Sequence, residues 1–133
     1  MEYFCPVCFE PIDRTHTICP QCRSDIPEWE LRTPYSERML RALWHPISEV
    51  RMGAIITLGN QRDDRAALPL AQCALRHPID IVQNLEILRS LRKLPRGTEL
   101  DAALAMLQNH PSRPIRDRSR CIDHSRGRPA ERR

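Results

Sequence analysis

Residues 42–59 read ALWHPISEVRMGAIITLG and contain the dipeptide His45-Pro46, which returns twice along the chain. The later copies are His77-Pro78 and His110-Pro111, at intervals of 32 (77 − 45) and 33 (110 − 77) residues. Such a period is typical of stacked helical hairpins, because one hairpin cannot bury its own apolar face and its neighbours must cover it. The pattern therefore predicts a helical scaffold over most of the chain.

Each copy continues with an aliphatic residue four positions after the proline and a polar residue directly after that. The aliphatic residues are Val50, Val82 and Ile115, and the polar residues are Arg51, Gln83 and Arg116. We expect the aliphatic side chains to belong to the buried face of each hairpin. In the third copy the remaining apolar residues are few, which is typical of a terminal repeat that faces solvent.

Apolar residues at helical spacing predict helices over about 34–44, 48–58, 64–75, 80–91 and 98–107, and a last degenerate helix after residue 112. Polar residues suited to N-capping precede these helices: Thr33, Ser48, Asp63 or Asp64, Asp80 and Thr98. Gly59 is suited to the left-handed conformation that often ends a helix. We therefore predict that the second helix stops there.

Length and composition allow one domain, or one small domain with an appendage. The chain has 133 residues, with 41% apolar and 5% aromatic residues, which favours an aliphatic helical core. Its longest apolar run is far shorter than the roughly 18 residues of a membrane span, and the start MEYFCPVC lacks the features of a signal peptide. We expect a soluble, cytoplasmic protein with no membrane partner.

Two Cys-x-x-Cys pairs, Cys5/Cys8 and Cys19/Cys22, lie within the first 25 residues. Each pair aims two thiolates at one point, and two facing pairs give the four-sulfur tetrahedron that zinc prefers. A redox dithiol would need only one pair, while an iron site or a pair of disulfides is also compatible with this spacing. His16, in the loop between the pairs, is expected to be a solvated side chain rather than a ligand. The cysteines predict one structural Zn²⁺, which would supply most of the folding free energy of so small a module.

The segment from Tyr3 to Ile26 resembles small bacterial zinc ribbons, whose pattern is an aromatic residue, Cys-Pro-x-Cys, a short loop and a second Cys-Pro-x-Cys. Phe9 and Arg23 stand where the family has a glycine after each second cysteine, so we expect an altered geometry at these turns. We expect Trp29 and Trp44 to join the ribbon to the first helices.

The chain also resembles the HEAT-like repeats first recognised in phycobilisome lyases. The residues that carry this likeness are 42–51, Leu58-Gly59 and the run RAALPL at 65–70. The likeness extends over about 34–123 and implies a short α-solenoid. It also implies, more remotely, a subunit related to bilin lyases, although the chain is short for a pigment cavity.

Charge is distributed unevenly. Residues 1–33 carry three Arg and six acidic residues, a net −3, whereas residues 111–133 carry eight Arg and three acidic residues, a net +5. A zinc ion with four thiolates adds about −2 to the ribbon, which is the wrong sign for contact with phosphates. A nucleic-acid contact would instead use the C-terminal arginines: Arg113, Arg116, Arg118, Arg120, Arg126 and Arg128. No aromatic residue follows Trp44 to stack on bases, which favours a solvated terminus.

Other candidate chemistry is sparse. Cys73 and Cys121 lie on predicted helices, where an unpaired cysteine is usually a small buried apolar residue. His45, His77 and His110 should form a ladder along the stack rather than one metal site.

These observations predict a mainly α protein: a short solenoid of HEAT-like hairpins with a small N-terminal β zinc ribbon. The predicted segments are a ribbon over 1–26, a linker over 27–33, repeats over 34–123 and a basic, irregular tail over 124–133. The function we predict is a non-enzymatic adaptor that binds another protein and has one structural zinc. A nucleic-acid-associated regulator, a bilin lyase-related subunit and a redox-sensing zinc protein are further candidates.

Overall fold

A computed structural model describes residues 3–127, with side chains described for residues 3–122. The protein is mainly α-helical with one two-stranded antiparallel sheet near its N-terminus, so the predicted fold class is confirmed at this level. The chain divides into two compact units, residues 1–54 and 55–133. Within the described residues, no helix has both the length and the apolar character that a bilayer crossing requires.

The first unit contains the cysteine pairs. Strands β1 (Tyr3–Phe4) and β2 (Pro11–Ile12) pair antiparallel with Tyr3 opposite Ile12, and an isolated bridge joins Ile18 to Asp25. Helices α1 (Ile26–Arg32) and α2 (Tyr35–Ala42) follow. Helix α3 (Ser48–Gln61) contains the boundary between the units.

Residues 27–33, predicted as a linker, are helical up to Arg32. The carboxylate of Asp25 accepts a hydrogen bond from the Glu28 amide at 3.2 Å, and Pro27 lies in the first turn, where its missing N–H costs nothing. Thr33, the predicted N-cap of the next helix, instead ends α1, because its amide donates to the Trp29 carbonyl. Seven residues are easily mistaken for a linker because so short a helix shows little apolar periodicity.

All regular secondary structure among the described residues of the second unit is helical. After α3 come a 3-10 helix (Asp64–Ala66), α4 (Ala67–Arg76), α5 (Ile81–Lys93), α6 (Thr98–Met106), a second 3-10 helix (Leu107–Asn109) and α7 (Arg113–Gly127). Helix α4 packs against α5 and α6, and α7 packs against the same two helices. Their shared core is aliphatic, as the composition predicts, and includes Leu70, Ile87, Leu91, Leu100 and Ile115.

Two of the predicted helix caps are present in the structure, and the others differ. Asp63 and Asp80 accept hydrogen bonds from the amides of Arg65 and Gln83, both at 3.0 Å. The capping box predicted at Thr98 is wrong, since Gly97 is the N-cap and α6 has no side-chain cap. The predicted stop at Gly59 is also wrong, because α3 continues to Gln61 and Arg62 takes the left-handed conformation with φ 56°.

The aliphatic position after each His-Pro is buried in only one copy. Ile115 is fully buried, but Val50 is 39% and Val82 is 72% exposed, so the prediction fails for these two. In the first two copies the polar residue that follows the aliphatic one is the more buried of the two: Arg51 is 6% and Gln83 only 1% exposed. The buried face of α5 is therefore rotated by one residue from the face that hydrophobicity indicates.

The His-Pro turns themselves repeat in atomic detail. In the first and third copies, the amide two residues after the histidine donates to its Nδ1, from Ile47 to His45 at 3.1 Å and from Ser112 to His110 at 2.9 Å. The arginine six residues after each histidine closes the turn. Arg51 donates to the His45 carbonyl at 2.8 Å, and Arg116 to the His110 carbonyl at 2.7 Å.

The second copy has glutamine at the arginine position and uses its neighbour. Asn84 Nδ2 donates to the His77 carbonyl at 3.1 Å. All three copies thus satisfy the histidine carbonyl with a side chain from the first turns of the following helix. This shared bond gives the sequence period a structural counterpart.

Helix α7 extends to Gly127, so residues 124–127 of the predicted irregular tail are helical. Residues 128–133 lie outside the described residues.

Candidate metal centre

The four cysteines of the two pairs converge on one point. The sulfurs of Cys5, Cys8, Cys19 and Cys22 all lie within 4.8 Å of one another. Across the pairs, Cys5 and Cys22 are 3.7 Å apart, and so are Cys8 and Cys19. Ligands ~2.3 Å from a central ion at tetrahedral corners lie ~3.8 Å apart, whereas a disulfide requires ~2.05 Å. The four sulfurs can therefore hold a tetrahedrally coordinated metal ion.

Each pair lies on a turn whose backbone amides point at sulfur. The Val7 amide donates to Cys5 Sγ at 3.4 Å, and the Gln21 amide donates to Cys19 Sγ at 3.3 Å. These donors favour the thiolate form that metal binding requires.

The two turns are equivalent in their backbone hydrogen bonds. The amides of Phe9 and Arg23 donate to the carbonyls of Cys5 and Cys19, both at 2.8 Å. The amides of Cys5 and Cys19 in turn donate to the carbonyls of Glu10 and Ser24, both at 3.0 Å. Each turn thus holds its pair of cysteines with the same backbone hydrogen bonds.

Phe9 and Arg23 hold this geometry without the glycine that zinc ribbons have at these positions. Their φ angles are 65° and 66°, in the left-handed region that glycine favours. Both turns therefore contain a residue in a strained conformation, and the expected difference from turns that contain glycine stays a prediction.

The site has a small apolar shell. Cys5 and Cys19 are fully buried and Ile26 is nearly so, with Val7 and Ile12 packed around them. The shell is too small to be a substantial core, which makes a metal ion the natural source of stability for this part of the chain.

Thiol pKa values differ across the site because the environments of the sulfurs differ. Burial raises the pKa of Cys8 to about 12 and also raises that of Cys5. The hydroxyl of Ser24, 3.3 Å from Cys22 Sγ, and the Ser24 amide lower the pKa of Cys22 to about 6. Hydrogen bonds from the amides of Cys22 and Gln21 lower the pKa of Cys19. Four thiolates in one place require a cation to offset their mutual repulsion.

Helix α2 and the turn after it carry two side chains that contact the first cysteine turn. The guanidinium of Arg41 donates to the carbonyls of Pro6, at 3.2 Å, and Val7, and lies 5.7 Å from the Phe9 ring centroid. The His45 ring makes edge contacts with Phe4 and Phe9 at centroid distances of 5.2 and 5.7 Å. Arg41 also places a positive charge beside a thiolate cluster.

These contacts join the ribbon to α2. Trp29, predicted to take part in this junction, is half-buried beside Pro6 and Phe9, whereas Trp44 is 55% exposed and its joining role stays a prediction. Sequence reasoning overlooked Arg41, and its only signal was a position one helical turn before His45.

His16 is exposed, and its Nδ1 accepts a hydrogen bond from the Asp13 amide at 3.1 Å.

The C-terminal arginines are partly engaged within the chain. Arg113 and Arg120 both pair with Asp117, at 3.6 and 2.9 Å, and Arg116 closes the third His-Pro turn. Arg118 is exposed and lies near α5. The side chain of Arg126 and all of Arg128 lie outside the described part.

The remaining candidates all belong to the second unit. Cys73 is fully buried, as expected for core packing, whereas Cys121 is exposed. His110 is buried against Asn84, with its Nε2 3.0 Å from Asn84 Nδ2.

Comparison of the chain with protein-family models, with curated proteins and with solved structures found no match. The resemblances to zinc ribbons and to HEAT-like repeats therefore rest on the residues of the cysteine pairs and the His-Pro repeats alone.

Proposed function

We propose that Cys5, Cys8, Cys19 and Cys22 bind one Zn²⁺ with a structural role. Support comes from the four-sulfur donor set, which is the one structural zinc sites use, and from the 3.7 Å separations across the pairs. With all four positions taken by protein sulfur, no position is left open for a water or a substrate, as catalysis would require. Zinc would supply folding free energy to the first unit.

The helical part, in this proposal, is a short α-solenoid of HEAT-like hairpins that binds another protein. The observation that carries it is an apolar patch at the second His-Pro turn. Ile79 is 91% and Val82 is 72% exposed, and Ile81 between them is 39% exposed. Apolar side chains clustered at the surface mark contact sites more often than isolated ones do. The protein acts as an adaptor, with no catalytic step.

A photo-crosslinking residue at position 79 tests this function, with the same residue at position 96 as the control. Arg96 is also exposed, and it follows the C-terminal end of α5 whereas Ile79 precedes the N-terminal end. The proposal predicts a covalent adduct with one protein at position 79 and none at 96. Binding of that protein, once purified, should be lost on Ile79→Asp and kept on Arg96→Asp. Equal adducts at both positions, or turnover of a substrate by a protein that captures no partner, would contradict the adaptor function.

A further inference from the structure

Helices α5 and α7 form a groove with an apolar floor and an arginine rim. The floor consists of Leu85, Leu88 and Ile122, and the cavity is about 180 Å³. Since water occupies ~30 Å³ per molecule in the liquid, this volume accepts a branched aliphatic side chain.

The rim is positively charged. Arg89, Arg92 and Arg118 line the groove. Arg89 is 3.8 Å from Glu86 but remains largely exposed, and Arg118 has no acidic partner among the described side chains. The groove therefore suits an apolar side chain flanked by carboxylates.

The chain itself carries a segment of this chemistry on α1. Leu31 is 89% exposed, more than any other leucine among the described residues. Glu28 lies one turn before Leu31 on the same face of the helix, and Glu30 is adjacent. Residues 1–33, which include α1, carry a net charge of −3, opposite to the +5 of residues 111–133.

We propose that the α5–α7 groove binds α1 of a second copy of this chain, with Leu31 on the apolar floor and Glu28 beside Arg118. The contact joins two different surfaces, so it occurs either twice in a reciprocal dimer or head-to-tail in a ring or an open chain. This self-association uses residues other than the patch around Ile79 and goes beyond the adaptor function.

A charge exchange tests the proposal by sedimentation of the full chain loaded with zinc. Arg118→Glu and Glu28→Arg should each weaken self-association by about tenfold or more, because each places like charges together. An equimolar mixture of the two variants should associate again, because each interface then contains one acidic and one basic partner. Arg96→Glu is the matched control, and it should associate as the unmodified chain does.

The apolar contact has its own pair of variants. Leu31→Ala should weaken association, whereas Ile79→Ala should leave it unchanged, since both side chains are about nine-tenths exposed and neither supports the core. A chain that remains monomeric at high concentration overturns the proposal. So does a mixture of the charge variants that fails to associate, or association that depends on Ile79 but not on Leu31. Loss of the partner on Ile79→Asp with intact self-association would separate the adaptor function from this inference.

Discussion

Phe9 and Arg23, in the two cysteine turns, adopt a left-handed backbone conformation that costs free energy. Arg23 has φ 66° and an exposed side chain, so its replacement tests the backbone alone. Left-handed φ costs a non-glycine residue roughly 1–2 kcal/mol, and the greater freedom of glycine in the unfolded chain offsets part of the gain. We expect Arg23→Gly to stabilise the zinc-loaded first unit by about 0.5–1 kcal/mol, measured as zinc release during urea unfolding.

Arg23→Ala is the control, because it removes the same side chain and keeps the strain. A gain of equal size for Arg23→Ala would show that the side chain, not the backbone angle, is unfavourable.

Two glycines of α3 make a second comparison. A Cβ added at Gly59 would lie 2.6 Å from Ser90 Oγ and 2.9 Å from Ser90 Cα, whereas one at Gly53 meets nothing within 4 Å. Ser90 cannot move away freely, since its hydroxyl donates to the Ile55 carbonyl at 2.8 Å. Gly59→Ala should therefore destabilise the protein by about 1–3 kcal/mol, while Gly53→Ala should stabilise it by up to about 1 kcal/mol.

Chemical denaturation of both alanine variants measures this difference. Similar stabilisation of the two would mean that α3 does not approach Ser90 so closely. The crowding also explains why Gly59 is present although it does not end the helix.

The third His-Pro turn makes stability depend on pH. Burial lowers the pKa of His110 below its ordinary 6.5. A hydrogen bond with the Ala74 backbone raises the pKa in part, and the positive charge of Arg116 lowers it again. Because the Ser112 amide donates to Nδ1, the proton of the neutral ring is on Nε2, and a second proton would face an N–H group.

The unfolded state therefore binds more protons than the folded state below pH 6.5. Stability from this group is fully present above that pH and falls as the pH drops towards the lower pKa of the folded protein. His110→Asn should flatten this slope in urea unfolding between about pH 5 and 7, because an asparagine oxygen can accept the Ser112 amide without titrating. An unchanged slope would show that another group causes the dependence.

Sequence reasoning found elements better than it found their ends and faces. Periodicity locates the helices. Asp63 and Asp80 cap as predicted, because a short carboxylate before a helix can accept a hydrogen bond from a free amide of the first turn. It misplaced the buried face of α5 because Gln83 and Asn84 are buried polar residues, and their hydrogen bonds to the turns cannot be read from hydrophobicity. The cysteine spacing predicts the convergence of four sulfurs, but Arg41 is more than 30 residues away in sequence, and its contact with the first cysteine turn cannot be read from that spacing.

The first unit as a whole depends on its cysteine site in this account. Its shell of Ile26, Val7 and Ile12 buries little apolar surface, while structural zinc contributes ~10–16 kcal/mol in zinc-finger peptides at neutral pH. We expect a strong chelator to remove hydrogen-exchange protection from the amides of Cys5 and Cys19, which bond to Glu10 and Ser24. Protection that survives complete metal removal would show that the turns fold without an ion.

The identity and coordination of the bound metal decide whether the four cysteines form a structural zinc site. X-ray absorption at the zinc edge, combined with metal analysis of protein purified without added metal, gives both. We predict one zinc per chain with four sulfur ligands at ~2.3 Å. A chain without bound metal, a shell containing nitrogen or oxygen, or cysteine pairs that cycle between dithiol and disulfide would contradict a structural zinc site and make redox sensing the better function for the N-terminal unit.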